Sequence, residues 1–235
     1  MITRSASQNA AFRLLLEERG ARVVEMPLVS IEEPEDEGRE RDTMLQKLHT
    51  FDWVVVTSPN GAERVAPFAS AAGAAADSPV FPRFAAVGAA TSRVLAVHTD
   101  LVAEPARASV LAEVFPHGTG RVLVVQGNLA DDGLAGAIAD RGWDVTKVVA
   151  YRTVSVTPDD EVRGPALSAD VLMLASGSAA SAWFDAFGTE TPAVVVSIGP
   201  STTRVAEQLG IHVTATAEEQ NLGAMIRAAA NSIGA

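Results

Sequence analysis

Short apolar runs alternate with amphipathic stretches along almost the whole chain. Residues 51–57 (FDWVVVT), 84–87, 121–125, 171–174 and 194–198 are rich in Val, Leu, Ile and Ala, most are bounded by Gly, Pro, Asn or Asp, and the longer, more polar stretch 145–156 reads simply as extended. Runs this short and this apolar predict strands of a parallel sheet covered on both faces. Residues 22–31, 101–102 and 211–213 read as further strands, and residues 1–4 as the end of another. Between the runs lie helical spacings. Phe12, Leu15 and Leu16 share a face and stop at Gly20; another helix starts at Ser58 and runs to about Ala75; residues 134–141 stop at Gly142; Ser176 opens a helix to Phe187; residues 222–230 close the chain. An Ala/Gly stretch to Asp77, with Pro79 and Pro82, predicts a loop. Two charged, proline-bearing passages, residues 32–42 (EEPEDEGRERD) and 157–165, predict solvated linkers.

Strands alternating with helices predict an α/β protein. The chain also repeats itself. Residues 87–94 read VGAATSRV and residues 198–205 read IGPSTTRV, so Gly88, Thr91, Arg93 and Val94 recur at one constant offset as Gly199, Thr202, Arg204 and Val205. Arg19, Gly20 and Val23 recur likewise as Arg141, Gly142 and Val145. The order of repeated parts is A, B, A, B, with a linker after each A. An A part of some thirty residues cannot bury a core alone and must pair with the final B. The expected fold is therefore two doubly wound parallel-sheet domains, flavodoxin-like and related by the repeat, joined by a two-stranded hinge linker. Residues 1–33 and 155–235 form a discontinuous outer domain, and residues 34–154 a continuous inner one.

Composition narrows the partners. With 235 residues, 48% hydrophobic and a net charge of −11, the chain lacks the basic surface that nucleic acids or anionic membranes reward. There is no cysteine, hence no thiolate chemistry or disulfide, and His49, His98, His117 and His212 have no ligand spacing, so no metal is expected. The opening residues lack a signal-peptide pattern and no long apolar run occurs, which predicts a cytoplasmic protein. Neither G-x-G-x-x-G nor a P-loop occurs, which weighs against a nucleotide site.

Doubly wound domains bind ligands beyond the carboxyl ends of their strands, here expected in a cleft between the two domains. Small and hydroxyl residues gather at those ends: Thr3 and Arg4, Ser58, Gly88 and Thr91, Gln126 and Gly127, Ser176 and Ser178, Gly199 and Thr202. Thr91 and Thr202 are placed as helix N-caps, where free amides and the helix dipole attract anions. The glycines permit close approach or positive φ. Arg4 adds a cation. A ligand with several acidic groups suits six such turns.

The series TSPNGA (57–62), VGAAT (87–91), VLVVQG (122–127), VVAYRT (148–153), SGSAA (176–180) and IGPSTT (198–203) resembles the uroporphyrinogen-III synthase family over nearly the whole chain. The resemblance implies a cofactor-free, monomeric lyase of tetrapyrrole biosynthesis. Its substrate is a linear tetrapyrrole polycarboxylate, hydroxymethylbilane, closed to uroporphyrinogen III with the last ring inverted and water lost. It assigns Tyr151, the single tyrosine, as an assisting acid, Thr202 to substrate carboxylate, and Ser58, Ser176 and Ser178 to the family's two Thr-Ser turns. Without the resemblance, Tyr151 reads as a packed strand aromatic and the serines as helix caps. Gln126 and Asp131 stand where the family often has arginine, and Ala175 and Gly177 replace a usual threonine and proline. A catalytically weak or silent homologue that binds a tetrapyrrole or another polyanion, as a regulatory or binding protein, is the alternative. A two-lobed anion-binding protein is a further one.

Overall fold

The computed structural model describes residues 1–74 and 81–234. The expected loop around Asp77 and Pro79 lies outside the described residues. The chain divides into two compact units, Met1–Ile31 with Thr153–Ala235, and Glu32–Arg152. In chain order the first elements are α1 (Ala6–Glu17), β1 (Val29–Glu32), α2 (Arg39–Leu45), β2 (Trp53–Val56), α3 (Pro59–Ala74) and β3 (Arg83–Ala86). Then follow α4 (Ala89–Leu95), β4 (Leu101–Val102), α5 (Ala108–Val114), β5 (Arg121–Gly127), α6 (Gly133–Ala139) and β6 (Asp144–Ser155). The chain ends with α7 (Asp160–Leu167), β7 (Val171–Leu174), α8 (Gly177–Phe187), β8 (Val194–Ser197), α9 (Pro200–Gln208), β9 (Ala215–Thr216) and α10 (Leu222–Ile233).

The continuous unit is built on a parallel sheet of order β6-β5-β2-β3-β4, and β1 adjoins β6 at its edge. All four residues of β2 are buried, as a central strand covered on both faces requires. The buried stripe Ala62, Val65 and Ala69 of α3 recurs at helical spacing. Trp53 packs on Phe115 at 5.1 Å between ring centroids, and Phe115 meets the edge of Trp143 at 6.1 Å.

The discontinuous unit carries the parallel sheet β7-β8-β9, extended by residue bridges from Ile2 to Met173 and from Ile2 to Glu25. Two cores flank it. One gathers Trp183 stacked on Phe187 at 4.3 Å, with Leu172, Leu174 and Val195. The other seats Ile2, Phe12 and Leu16 against Met173, Val196 and Met225. Each fully buried aliphatic side chain contributes about 1.5–3 kcal/mol relative to exposure.

Several elements differ from the sequence reading. The run over residues 22–31 changes partner at Leu28, whose N–H donates to Thr3 O while its carbonyl accepts from Val156 N–H. Its first half pairs with Ile2, and its second half forms β1. The strand expected at residues 211–213 lies later, at β9, because Ile211 N–H closes the end of α9 by donating to Ala206 O. Neither charged passage is plain linker. In residues 32–42 the Asp36 carboxylate accepts from Gly38 N–H at 3.0 Å and Glu40 N–H at 2.7 Å, which organises the start of α2. Residues 157–165 hold most of α7.

Candidate functional site

Parallel register aligns the strand ends of each unit. In the continuous unit Val56 pairs with Ala86 and Val125, so Ser58, Gly88 and Gly127 all stand two residues beyond one row. In the discontinuous unit Leu174 pairs with Ser197, and Ser176 and Gly199 stand two beyond that row. The Ile2–Met173 bridge brings Thr3 level with Leu174, so Ser5, which the sequence reading passed over, occupies the same level as N-cap of α1.

Tyr151 reaches this level through an irregularity. The β5–β6 register holds to Gln126↔Val149 and then shifts, so that Gly127 faces Tyr151. A Cβ at Gly127 would stand 2.7 Å from Tyr151 Cζ, so the glycine makes room for the ring. The phenol oxygen lies 3.0 Å from Ser58 Oγ, and Ser58 Oγ accepts from Gly61 N–H at 3.1 Å. Ser58 thus caps α3 and holds the phenol with the same atom. Tyr151 is 9% exposed and Gln126 7%.

A charged cluster that the sequence did not reveal surrounds this tyrosine. Arg64 lies over the ring, 5.6 Å from its centroid. Its Nε and Nη2 reach Glu33 Oε1 at 3.0 and 2.9 Å, and its Nη1 donates to Asn60 O at 3.0 Å. Glu33 Oε2 pairs with Arg41, whose Nη1 also donates to Ala150 O at 2.8 Å. Burial works to raise the Glu33 pKa, but hydrogen bonds and charge from Arg41 and Arg64 outweigh it and hold the carboxyl below its ordinary value.

The two glycine–threonine motifs correct one expectation. Gly88 is the N-cap of α4 and Gly199 of α9, while Thr91 and Thr202 sit inside the first turns. Thr91 Oγ1 donates back to Val87 O at 3.0 Å. Thr202 is 4% exposed, and its hydroxyl has no hydrogen-bond partner among the described residues. Neither N-cap offers a side-chain acceptor, so first-turn amides stay open to an anion. At α8, Ser176 Oγ accepts from Ala179 N–H at 3.1 Å and lies 3.0 Å from Ser178 Oγ.

Thr3 is fully buried and donates to Met173 O. Arg4 touches Gln8 Oε1 at 3.1 Å, and no described carboxylate pairs with it. Burial lowers its pKa, which marks a guanidinium short of counter-charge. Asn9, fully buried on the first turns of α1, has neither amide atom bonded among the described residues. A cavity of about 430 Å³ in the same unit lies at the opposite, amino ends of the strands, lined by Leu16, Val23, Asp170, Val171 and Ile226. None of the candidate site residues lines it. Among the described residues, no three His, Asp or Glu side chains cluster as metal ligands, and no helix is long and apolar enough to cross a membrane.

Comparison with known proteins follows the same lines. Residues 10–227 match the family model described as uroporphyrinogen-III synthase HemD. A chloroplastic uroporphyrinogen-III synthase of Oryza sativa subsp. japonica is 31% identical over 198 residues, 79% of this chain and 63% of that protein. A uroporphyrinogen-III synthase of Synechococcus elongatus is 30% identical over 168 residues, 68% of this chain and 63% of that protein. The match therefore spans 63% of the length of either relative. In fold, the chain resembles the crystal structure of a mutant uroporphyrinogen III synthase from the extremely thermophilic bacterium Thermus thermophilus. The TM-score is 0.68 and the identity 20%, with 99% of this chain and 98% of that one covered.

Proposed function

The chain belongs to the uroporphyrinogen-III synthase family, and from that premise we propose that it closes hydroxymethylbilane to uroporphyrinogen III with inversion of the last ring and loss of water. The observation that carries the proposal beyond membership is the Tyr151–Ser58 pair, a phenol with its hydroxyl held at 3.0 Å and level with the Gly88 turn. Ser58 Oγ already accepts from Gly61 N–H. When Ser58 donates its own proton to the phenol oxygen, the phenol O–H is left to donate to the departing hydroxyl of the substrate. Within the discontinuous unit, substrate carboxylates bind the open first turn of α9 with Thr202, Arg4 and the α8 serines. Within the continuous unit, the open first turn of α4 offers amides of the same kind, so that an acidic protein holds a polyanion mainly through amides and hydroxyls. Burial around Tyr151 and Gln126 keeps water from the cationic intermediate.

The proposal extends to a monomer working in the cytoplasm without cofactor or nucleic-acid partner, since a charge of −11 repels nucleic acid. Light scattering on an eluting column checks the oligomeric state. The decisive experiment is turnover of freshly generated hydroxymethylbilane, with products oxidised and isomers separated. Isomer III in excess over the spontaneous isomer I supports the synthase; isomer I alone from folded protein overturns it.

A further inference from the structure

We infer that Arg64, anchored by Glu33, is the positioning residue of Tyr151, an inference that rests on the synthase reading for its kinetic consequence. The side chain is committed at every nitrogen. Nε and Nη2 share Glu33 Oε1, and Nη1 returns to Asn60 O one turn back on α3. A fork fixed in this way sets its Cζ over the Tyr151 ring, 5.6 Å from the centroid. Turning it to a substrate carboxylate would break the Glu33 pair, so holding the ring fits the geometry better than binding substrate.

The anchor serves both ends of the tyrosine. One Glu33 oxygen holds Arg64 over the ring, and the other holds Arg41 against Ala150 O, the carbonyl just before Tyr151. Asp42 Oδ1 accepts from Arg41 Nε at 2.8 Å, which fixes that second arginine. Ser58 restrains the hydroxyl and Gly127 lies against the ring. The sequence spends two arginines and a shared carboxylate on one aromatic side chain that follows a strand irregularity. A phenol that must meet a departing hydroxyl needs that restraint, because a displaced donor loses its hydrogen bond to the leaving group.

Tyr151 is the only tyrosine of the chain, so 3-fluorotyrosine labelling places one fluorine probe at this ring. The test compares native protein, Arg64→Met, Arg64→Lys, Glu33→Gln, Tyr151→Phe and the double variant Arg64→Met/Tyr151→Phe. Arg64→Met lowers kcat about tenfold with KM within about twofold, and shifts or broadens the ¹⁹F resonance. Glu33→Gln moves the resonance in the same direction, and Arg64→Lys, lacking the planar fork, does not restore it. Placed on Tyr151→Phe, the Arg64 substitution adds nothing, since its effect passes through the phenol. Multiplying effects in the double variant, or an unmoved resonance in both Arg64→Met and Glu33→Gln, overturns the inference. Should Arg64→Met fail to fold, Glu33→Gln and Arg64→Lys carry the same comparison. If native protein forms no isomer III, the synthase reading fails by itself, and the fluorine spectra still decide whether Arg64 orients the ring.

Discussion

At Gly88 the backbone has φ of 91°, and an added Cβ would stand 2.5 Å from Ala106 Cβ. At Gly199, φ is 173°, extended backbone open to any residue, and the atoms nearest an added Cβ belong to the side chain of exposed Gln220, from 2.8 Å. The same motif therefore uses its glycine for two reasons. Gly88→Ala combines left-handed strain with a clash in packed surroundings and costs on the order of 2–4 kcal/mol. Gly199→Ala costs less than about 1 kcal/mol, because a surface glutamine swings away. Paired urea melts check this, and equal losses at both sites would remove the distinction. Sequence identity alone could not separate the two glycines, since the room for a side chain depends on where Ala106 and Gln220 pack. Ser58 and Tyr151 were both legible as site candidates, but their contact was not. Arg64 and Glu33 escaped for a plainer reason. Glu33 lies within a charged run that reads as solvated, and its partner stands 31 residues away on a different element.

An apolar strand core and its glycine turn are local signals, so the parallel elements were readable from short Val-rich runs. The errors arose where a tertiary contact overrode the pattern, as when Ile211 closed α9 instead of joining a sheet, or where Leu28 took Thr3 on one side and Val156 on the other and so divided one apolar run between two pairings. The charged segments misled because helices such as α7 can form from polar residues once one face is buried, as Ala166 is here. At this scale the junction of β2 and α3 is the most exposed to test. Ser58→Ala removes the cap and costs about 1 kcal/mol, and it also frees the phenol of Tyr151. Calorimetry should show the lower stability, whereas Ser58→Thr, which keeps a capping hydroxyl, should retain most of it. The Glu33 cluster adds a pH signature. Its folded pKa lies below the ordinary 4.5, so its stabilisation is complete above that value and disappears as pH falls through the depressed one. The stability advantage of native protein over Glu33→Gln is therefore constant near neutrality and shrinks as acid protonates Glu33. A constant gap down to the lowest pH at which the protein folds would contradict the assignment.

For the whole molecule, the division into a continuous and a discontinuous unit makes chain order a stability question. Residues 29–155 contain all six strands of the larger sheet with β1 and β6 intact, and the Trp53–Phe115–Trp143 cluster closes a core within them. Nothing in that core is borrowed from the chain ends. The other unit is different. Its second core places Ile2, Phe12 and Leu16 from the first residues among Met173, Val196 and Met225 from the last. Met173 N–H donates to Met1 O across the same junction, at 3.0 Å. A fragment of residues 153–235 would lose one flank of its sheet and leave Met173 and Val196 exposed, a loss of several kcal/mol that a small unit cannot absorb. Residues 29–155 should thus unfold in urea with a single cooperative transition and full near-ultraviolet signal from their tryptophans. Residues 153–235 should show neither until a peptide of residues 1–28 is added, whereupon the signal of Trp183 develops with peptide concentration. The opposite result, a cooperative transition from residues 153–235 alone, would show that the amino-terminal segment decorates this unit and does not complete it. The two cores would then have to be reassigned as independent layers.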